Sequence, residues 1–423
     1  MLRPLLEVII GIFTSPIAAG LVVGILFIAY HFRDRGTAAR TAWRGFAVVA
    51  AVVAITGLAT LIWLRLVEPQ QWDFLAFWMY AQVAVSGNSV YDPASFGSLA
   101  LPFSPGEDFV REVLEVGLVY PPPFLVIVAP FGFLGFVDFQ VAWYAVHLAC
   151  LGAAGWLLGS AVADPGEKWA GALLVMCALL WIPATQQTIG FGQTNFMLLL
   201  VAAALWSQPR LRGYLVGAGM IIKPWVVFLV PWVWRRGGFS HLIHAAILVV
   251  LASLIVASFQ GLSIFFDYLL GGVHSRLPAW VLTQPINQSL LAILARLHRS
   301  AGVETGLPLG VYYFICAAPI FALTGWRLLR SRDDVLGLAI SIQAALLLYP
   351  STSKHYCVLA MIPLLALSQR ARATDFQVIL VSAAIALYAT LSAGPAFWAN
   401  LGLWGILIAV DVRKNGNGPL LRG

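Results

Sequence analysis

Apolar runs of about 20 residues, the length that carries a helix across the hydrocarbon of a bilayer, recur along the whole chain. The clearest lie near 9–31, 46–66, 140–162, 168–185, 193–208, 241–260, 307–329, 335–350, 356–368, 375–392 and 396–411. Two more, 118–136 and 213–234, are interrupted by proline. Only 10% of the residues are charged and 61% are hydrophobic, whereas an ordinary soluble domain carries about 25% charged residues. The polar surface is too small to cover a soluble globule, and disordered, collagen-like and disulfide-stapled classes are excluded with it. The expected fold is an all-α polytopic integral membrane protein of about 12–13 transmembrane helices, forming a single transmembrane domain over 1–423. Cys150, Cys177, Cys316 and Cys357 sit in or beside apolar runs without metal-ligand spacing, and read as buried free thiols.

The formal charge of +7 is spread in short basic groups at the ends of apolar runs. That pattern orients helices and meets anionic lipid rather than nucleic acid. The first run lacks a basic n-region, so no cleavable signal peptide is expected. Arg33, Arg35, Arg40 and Arg44 follow it, which places the 33–45 loop inside and the N-terminus outside. Arg235–Arg236, Arg327–Arg332, Arg370–Arg372 and Arg413–Lys414 mark further inner ends. The 67–117 loop then lies outside, with Glu68, Asp73, Asp92, Glu107, Asp108, Glu112 and Glu115 against Arg111 alone. A second outer loop, 261–300, has amphipathic pieces at Ile264–Leu270 and Trp280–Leu282 that suit helices lying in the interface. A bacterial inner membrane, with the outer loops facing the periplasm, accounts for this layout.

Run 213–234 has Arg210 and Arg212 before it, Arg235 and Arg236 after it, and Lys223-Pro224 at its centre. A single span violates the charge rule once and puts a lysine at mid-bilayer; a re-entrant hairpin removes the violation and makes the proline a turn. Both readings are open. The hairpin requires one more incomplete span, and 118–136, opened by Tyr120-Pro121-Pro122-Pro123, is the candidate.

Residues able to carry chemistry are few. Asp73, in Gln71-Trp72-Asp73-Phe74, is a carboxylate among aromatics at the membrane edge, the setting of a general base or of a helix cap. Lys223 is a point cation suited to a lipid-linked phosphate, or a snorkelling lysine. Lys354-His355 in a short outer loop suits anion binding or proton transfer, or a satisfied interfacial histidine. The amides of Asn287-Gln288-Ser289 and of Gln193-Thr194-Asn195 suit sugar hydroxyls, or caps and turns. His241 and His244 share a helix face, a weak metal signal. Gly20–Gly24 and Gly213–Gly217 read as helix-packing stripes. There is no P-loop, zinc triad or heptad pattern, and little polar chain to form a nucleotide-binding domain. No cofactor is called for: Asp73 and Asp92 are the carboxylates a divalent cation would use, but no ligand cluster surrounds them.

The order of these pieces carries a resemblance. Asp73-Phe74, Ser86-Gly87-Asn88-Ser89-Val90-Tyr91-Asp92-Pro93, Tyr120-Pro121-Pro122, Gly192-Gln193-Thr194-Asn195, Lys223-Pro224, Asn287-Gln288-Ser289-Leu290 and His355-Tyr356 follow one another over about 46–400. In this the chain resembles the polyprenol-phosphate-mannose-dependent glycosyltransferases of family GT87, which have a GT-C membrane fold. The resemblance implies a GT-C-like core over 46–411, with 1–45 an addition and 67–117 and 261–300 carrying site elements. It implies Asp73 as the catalytic base and His355 near the donor phosphate or the reacting sugar. Lys223 and the Gly192-Gln193 turn would line the same cavity. Lys354, Arg276 and Tyr120 join the donor-phosphate group, and Gln193, Asn195, Asn287, Gln288 and Asp92 the sugar or acceptor group. The family often has an acid before the histidine; here Lys354 stands there.

The implied reaction is inverting transfer of a hexosyl group, mannosyl by family expectation, from a polyprenyl-phosphate sugar to a lipid or glycan acceptor on the outer face. Membrane lipids are the remaining expected partners. The alternative is a non-catalytic flippase or transporter for a glycolipid, which would use the same cavity without needing Asp73.

Overall fold

The computed structural model describes residues 2–67, 72–96, 99, 120–164, 166–270, 282–300, 308–370 and 374–416. All regular elements among them are helices, as expected, and no strand longer than one isolated bridge occurs among them. Among the described residues six helices are long and apolar enough to cross a membrane, or seven if one bent pair forms a span. The remaining apolar runs are helices of 10–17 residues. Full-length spans are therefore fewer than the 12–13 runs suggested, because several runs break or turn before crossing. Glu68, Glu107, Asp108, Arg111, Glu112, Glu115, Arg276, Trp280 and Arg372 lie outside the described residues.

The first run is two helices, α1 (Leu2–Thr14) and α2 (Pro16–Phe32). Ser15 caps α2, its Oγ accepting from Ala18 N at 3.3 Å, and Pro16 takes the first helical position, where a missing N–H costs nothing. The break frees the Phe13 carbonyl, which accepts from Gln186 Nε2 at 2.6 Å. The basic 33–45 segment is not a loop. After Arg33–Arg35 and Gly36 the chain enters α3 (Thr37–Val67), 31 residues or about 46 Å long, which must tilt in or project beyond the bilayer. α4 (Trp72–Val85) is a short juxtamembrane helix. Three prolines reduce 118–136 to a broken ten-residue helix, α5 (Pro122–Phe131), so it is an incomplete span.

Next come α6 (Phe136–Val162), α7 (Lys168–Trp181), α8 (Pro183–Phe191) and α9 (Asn195–Ser207). α7 and α8 meet at a 67° bend where Pro183 cannot donate to the preceding turn. Gly159 and Gly171 bring α6 and α7 into backbone contact: a Cβ on Gly159 would lie 2.3 Å from Ala172.

α10 (Arg212–Ile222) leads to Lys223, and a 3-10 turn (Pro224–Leu229) leads into Val230–Gln260, here α11. By length and apolarity Pro224–Gln260 passes for one span, but Gly238, at φ 66° and ψ −164°, is not helical and divides it. Arg212 pairs with Asp334, and Arg236 Nε lies 3.2 Å from the same carboxylate. Both ends of 213–234 therefore start from one face, and the segment is a hairpin with Lys223 at its turn. Gly213 and Gly217 pack on His241 and Ala245, in the helical stretch beyond the Gly238 break, as the small-residue stripe suggested. Gly20 and Gly24 pack likewise on Ala386 and Thr390 of α17 (Asp375–Leu391).

The chain continues through α12 (Ser263–Leu270), α13 (Leu290–Ser300), α14 (Leu309–Arg330), α15 (Asp334–Leu348), a 3-10 helix (Lys354–Ala360), α16 (Met361–Arg370), α17 and α18 (Ala396–Gly416). Ion pairs gather on one face: Arg33 with Asp164 and Glu167, Arg35 with Asp375, Arg327 with Asp411, and Arg370 with Asp333. We call this the basic face. All four cysteines are free, but Cys316 is exposed on apolar α14 rather than buried.

Three short excursions thus rise from the basic face and turn back: α7–α8 into α9, α10 into α11, and α15 into α16. At 1.5 Å per residue, α10 and α15 climb about 16 and 22 Å, and α9 descends about 20 Å. Their turns hold Gln193, Lys223 and His355. Single-cysteine labels placed at Arg210 and at Arg235 are expected to react from the same side of sealed membranes. Reaction from opposite sides would restore the single span.

Candidate active site

Gly192 ends α8 in the left-handed region at φ 71°, so Gln193 turns away from the helix instead of extending it. Trp143 Nε1 donates to the Gly192 carbonyl at 2.8 Å and fixes the turn to α6. A Cβ on Gly192 would lie 2.6 Å from the Phe74 ring. The absent side chain therefore lets the first turn of α4, which holds Asp73, come against the Gln193 turn.

Gln193 is the hub. Its Oε1 accepts from Lys223 Nζ at 2.9 Å and from the Tyr120 hydroxyl at 3.1 Å. Its side chain also favours the charged form of Asp73, as a hydrogen-bond donor does. The Tyr120 hydroxyl also lies 3.3 Å from Thr194 Oγ1. Lys223 Nζ sits between aromatic faces, 4.3 Å from the Tyr356 ring centroid and 5.1 Å from that of Tyr120. Asp73 is half-buried, in the first turn of α4 where the helix dipole favours a carboxylate. Burial raises its pKa to about 6, against the lowering effects of the Gln193 hydrogen bond and the Lys223 charge. A carboxylate with that pKa is ionised at neutral pH and basic enough to take a proton.

His355 closes the group. It is buried, its ring stacks on Tyr356 at 5.2 Å and lies 5.9 Å from Phe191, and its carbonyl accepts from Thr188 Oγ1 at 3.2 Å. Its Nδ1 is buried with no partner among the described residues. Asp73, Tyr120, Gln193, Lys223 and His355, far apart in sequence, thus meet in one cluster.

The other candidates do different work. Asn287 Nδ2 donates to Pro350 O at 3.2 Å and its Oδ1 accepts from Ser289 N at 3.1 Å. Gln288 Oε1 accepts from Phe397 N at 3.1 Å and its Nε2 donates to Pro285 O at 2.7 Å. With the Asn287–Ser353 bridge and the Gln288 N to Thr352 O bond of 2.7 Å, these residues fasten the second outer loop to the His355 turn. Their amides bond to backbone in this arrangement. Lys354 is half-buried, its N bonded to Ile286 O at 2.9 Å, and an electrostatic neighbour of Arg296. Asn195 is fully buried, with both amide atoms unpartnered among the described residues. Asp92 is exposed, and its Oδ1 accepts from Ala94 N at 3.0 Å, the bond of a turn cap. Arg276 lies outside the described residues. Among the described residues, the one three-carboxylate group with metal-like spacing is Asp34, Asp164 and Glu167, around Arg33 on the basic face, and it includes neither Asp73 nor Asp92. Sequence reading passed over Thr194, Trp143 and Thr188 as site residues. Thr194 and Tyr356 adjoin named residues, but nothing in the sequence marks Trp143 or Thr188 as supports.

Gly192→Ala is expected to lower stability by about 1–2 kcal/mol for the backbone alone, and by more from the Phe74 clash. A thermal melt of the purified protein that leaves the variant unchanged would contradict the turn geometry.

The profile of glycosyltransferase family 87 matches residues 118–353, a stretch containing Tyr120, Gln193 and Lys223 but neither Asp73 nor His355. A polyprenol-phosphate-mannose-dependent alpha-(1-2)-phosphatidylinositol pentamannoside mannosyltransferase of Mycobacterium tuberculosis (strain CDC 1551 / Oshkosh) is similar, 29% identical over 249 residues. The alignment covers 56% of this chain and 55% of that relative, so the chain spans about half of the relative's length. No solved structure matches the chain. Since the profile spans more than half of its residues, the chain belongs to glycosyltransferase family 87.

Proposed function

We propose that this protein transfers a hexosyl group from a polyprenyl-phosphate sugar to a lipid or glycan acceptor, with Asp73 as general base. The observation that carries the reading is the Gln193 hub, which bonds Lys223 and Tyr120 and favours the charged form of Asp73. A mannosyl group is the first choice because the similar mycobacterial protein bears that name.

In this reading the donor lipid stays in the bilayer and its sugar and phosphate enter the cluster. Asp73 takes the proton of the acceptor hydroxyl. The acceptor oxygen forms a bond to the anomeric carbon as the bond from that carbon to the phosphate oxygen breaks. The electron pair leaves with the polyprenyl phosphate, and attack from the opposite face inverts the configuration. Lys223 offsets the charge that grows on the leaving phosphate, a stabilisation that is strongest where water is excluded. His355, with a free buried Nδ1 beside Tyr356, contacts the phosphate or the reacting sugar. Lys354 and Arg296 add positive charge near the His355 turn. The basic face, where the three excursions begin, is taken as cytoplasmic by the positive-inside pattern, so the reaction faces the outside of a bacterial inner membrane.

The test is transfer of label from polyprenyl-phosphate-mannose by purified protein to a lipid and glycan extract. Asp73→Asn is expected to lower turnover about 10²–10⁴-fold while leaving insertion and folding intact. A fully active variant would remove Asp73 from the mechanism. The native rate is expected to hold above about pH 6 and to fall as acid protonates the carboxylate. A rate independent of pH from 7 to below about 5 would contradict a base of that strength. Transport of the glycolipid without transfer, unaffected by Asp73→Asn, would favour the carrier instead.

A further inference from the structure

We propose that Asp334, on the basic face, is a positioning residue that sets the depth of Lys223. This rests on the reading that Lys223 serves the transfer.

Asp334 opens α15 and meets both ends of the Lys223 hairpin. Its carboxylate pairs with Arg212, at the start of the rising helix. The other oxygen lies 3.2 Å from Arg236 Nε, at the end of the descending one. Its carbonyl accepts from Trp232 Nε1 at 3.1 Å, and the Arg212 guanidinium lies 4.7 Å over the Trp232 ring. One residue thus holds both stems of the hairpin through two charges and a backbone bond. Neighbouring Asp333 caps α15, accepting from Leu336 N at 3.0 Å, and pairs with Arg370 at the end of α16. The two carboxylates therefore tie the base of the hairpin bearing Lys223 to the base of the one bearing His355.

α10 is a helix of 11 residues from this knot to Lys223, about 16 Å. A stiff rod transmits a shift at its foot to its tip. Loss of Asp334 leaves Arg212, only 6% exposed, beside Arg236 without the carboxylate they share. Two like charges so placed repel, and the stems spread or slide. Lys223 must lie 2.9 Å from Gln193 Oε1 to stay in the cluster, so a displacement of about 1 Å weakens that bond and misplaces the cation. Asp334 is 38% exposed at its side chain, and asparagine keeps its size, so Asp334→Asn removes the charge without opening a cavity.

The test uses full-length protein in lipid nanodiscs, with Asp334→Asn, Asp334→Glu, Arg236→Gln, Lys223→Met and the Asp334→Asn/Lys223→Met double variant. The first readout needs no activity: acylation of Lys223 by a small amine-reactive reagent, followed by peptide mass spectrometry with Lys354 as internal control. Acylation of Lys223 is expected to rise several-fold in Asp334→Asn and in Arg236→Gln, to stay near native in Asp334→Glu, and Lys354 is expected not to change. The second readout is transfer. Asp334→Asn is expected to lower kcat about ten-fold or more with a smaller change in donor KM, Asp334→Glu to restore it, and Asp334→Asn to add no loss on top of Lys223→Met. Unchanged Lys223 acylation in both Asp334→Asn and Arg236→Gln, or losses that multiply in the double variant, would overturn the positioning role. If Asp334→Asn does not fold, the acylation of Arg236→Gln decides. A native protein that transfers nothing while acylation responds as expected would refute the proposed function and leave the clamp standing.

Discussion

A backbone turn inside a bilayer is tolerable only where protein, not lipid, surrounds it, because its freed N–H and C=O groups have no water to bond. The whole structure answers to that constraint. Three excursions turn back about 16–22 Å above the basic face, and each covers the others. The Gly192 carbonyl is met by Trp143, the His355 carbonyl by Thr188, and Gln193 binds Lys223 across two of the turns. The longer helices α2, α3, α6, α11, α14 and α18 supply apolar surface for lipid, as the exposed Val48, Val52, Ile55, Leu254 and Phe314 show. A polar cluster at this depth exists because irregular backbone has been gathered in one place.

Charge is distributed to the same end. The basic face holds its carboxylates in pairs with arginines, several of them buried, including Arg327 with Asp411. Buried pairs are weak sources of net stability but strong constraints on arrangement, since removing one partner strands the other. Here they fix the feet of the helices whose tips carry Gln193, Lys223 and His355. At the tips Lys223 is shared among an amide, a carboxylate and two tyrosine rings. That arrangement keeps a cation in a low-dielectric site without locking it to one anion, leaving it able to meet a phosphate.

Much of this was legible in the sequence, and the limits are instructive. Asp73, Lys223 and His355 stood out because charged or titratable residues beside apolar runs are costly. Arginines on both sides of 213–234 are compatible with a hairpin from sequence alone. Span counting failed where a break depends on one residue: Ser15-Pro16, Pro183, and Gly238 with its positive φ. The 33–45 segment read as a loop from its arginines, yet helix propensity and the apolar run after it carry it into α3. Asn287 and Gln288 have the residue types of a sugar site, but only the fold reveals that their amides bond to backbone. Nothing in the local sequence indicates that Trp143 supports the Gly192 turn, since that contact closes over 49 residues.

The most direct measurement of the central claim, that one amide organises the reacting groups, is the pH–rate profile of sugar transfer by Gln193→Ala. Gln193 holds the Asp73 carboxylate down and carries Lys223. Its loss is expected to lower turnover at least about ten-fold and to move the acid limb to higher pH, because the hydrogen bond that favoured the charged form is gone. A variant with native turnover and an unmoved acid limb would contradict the account.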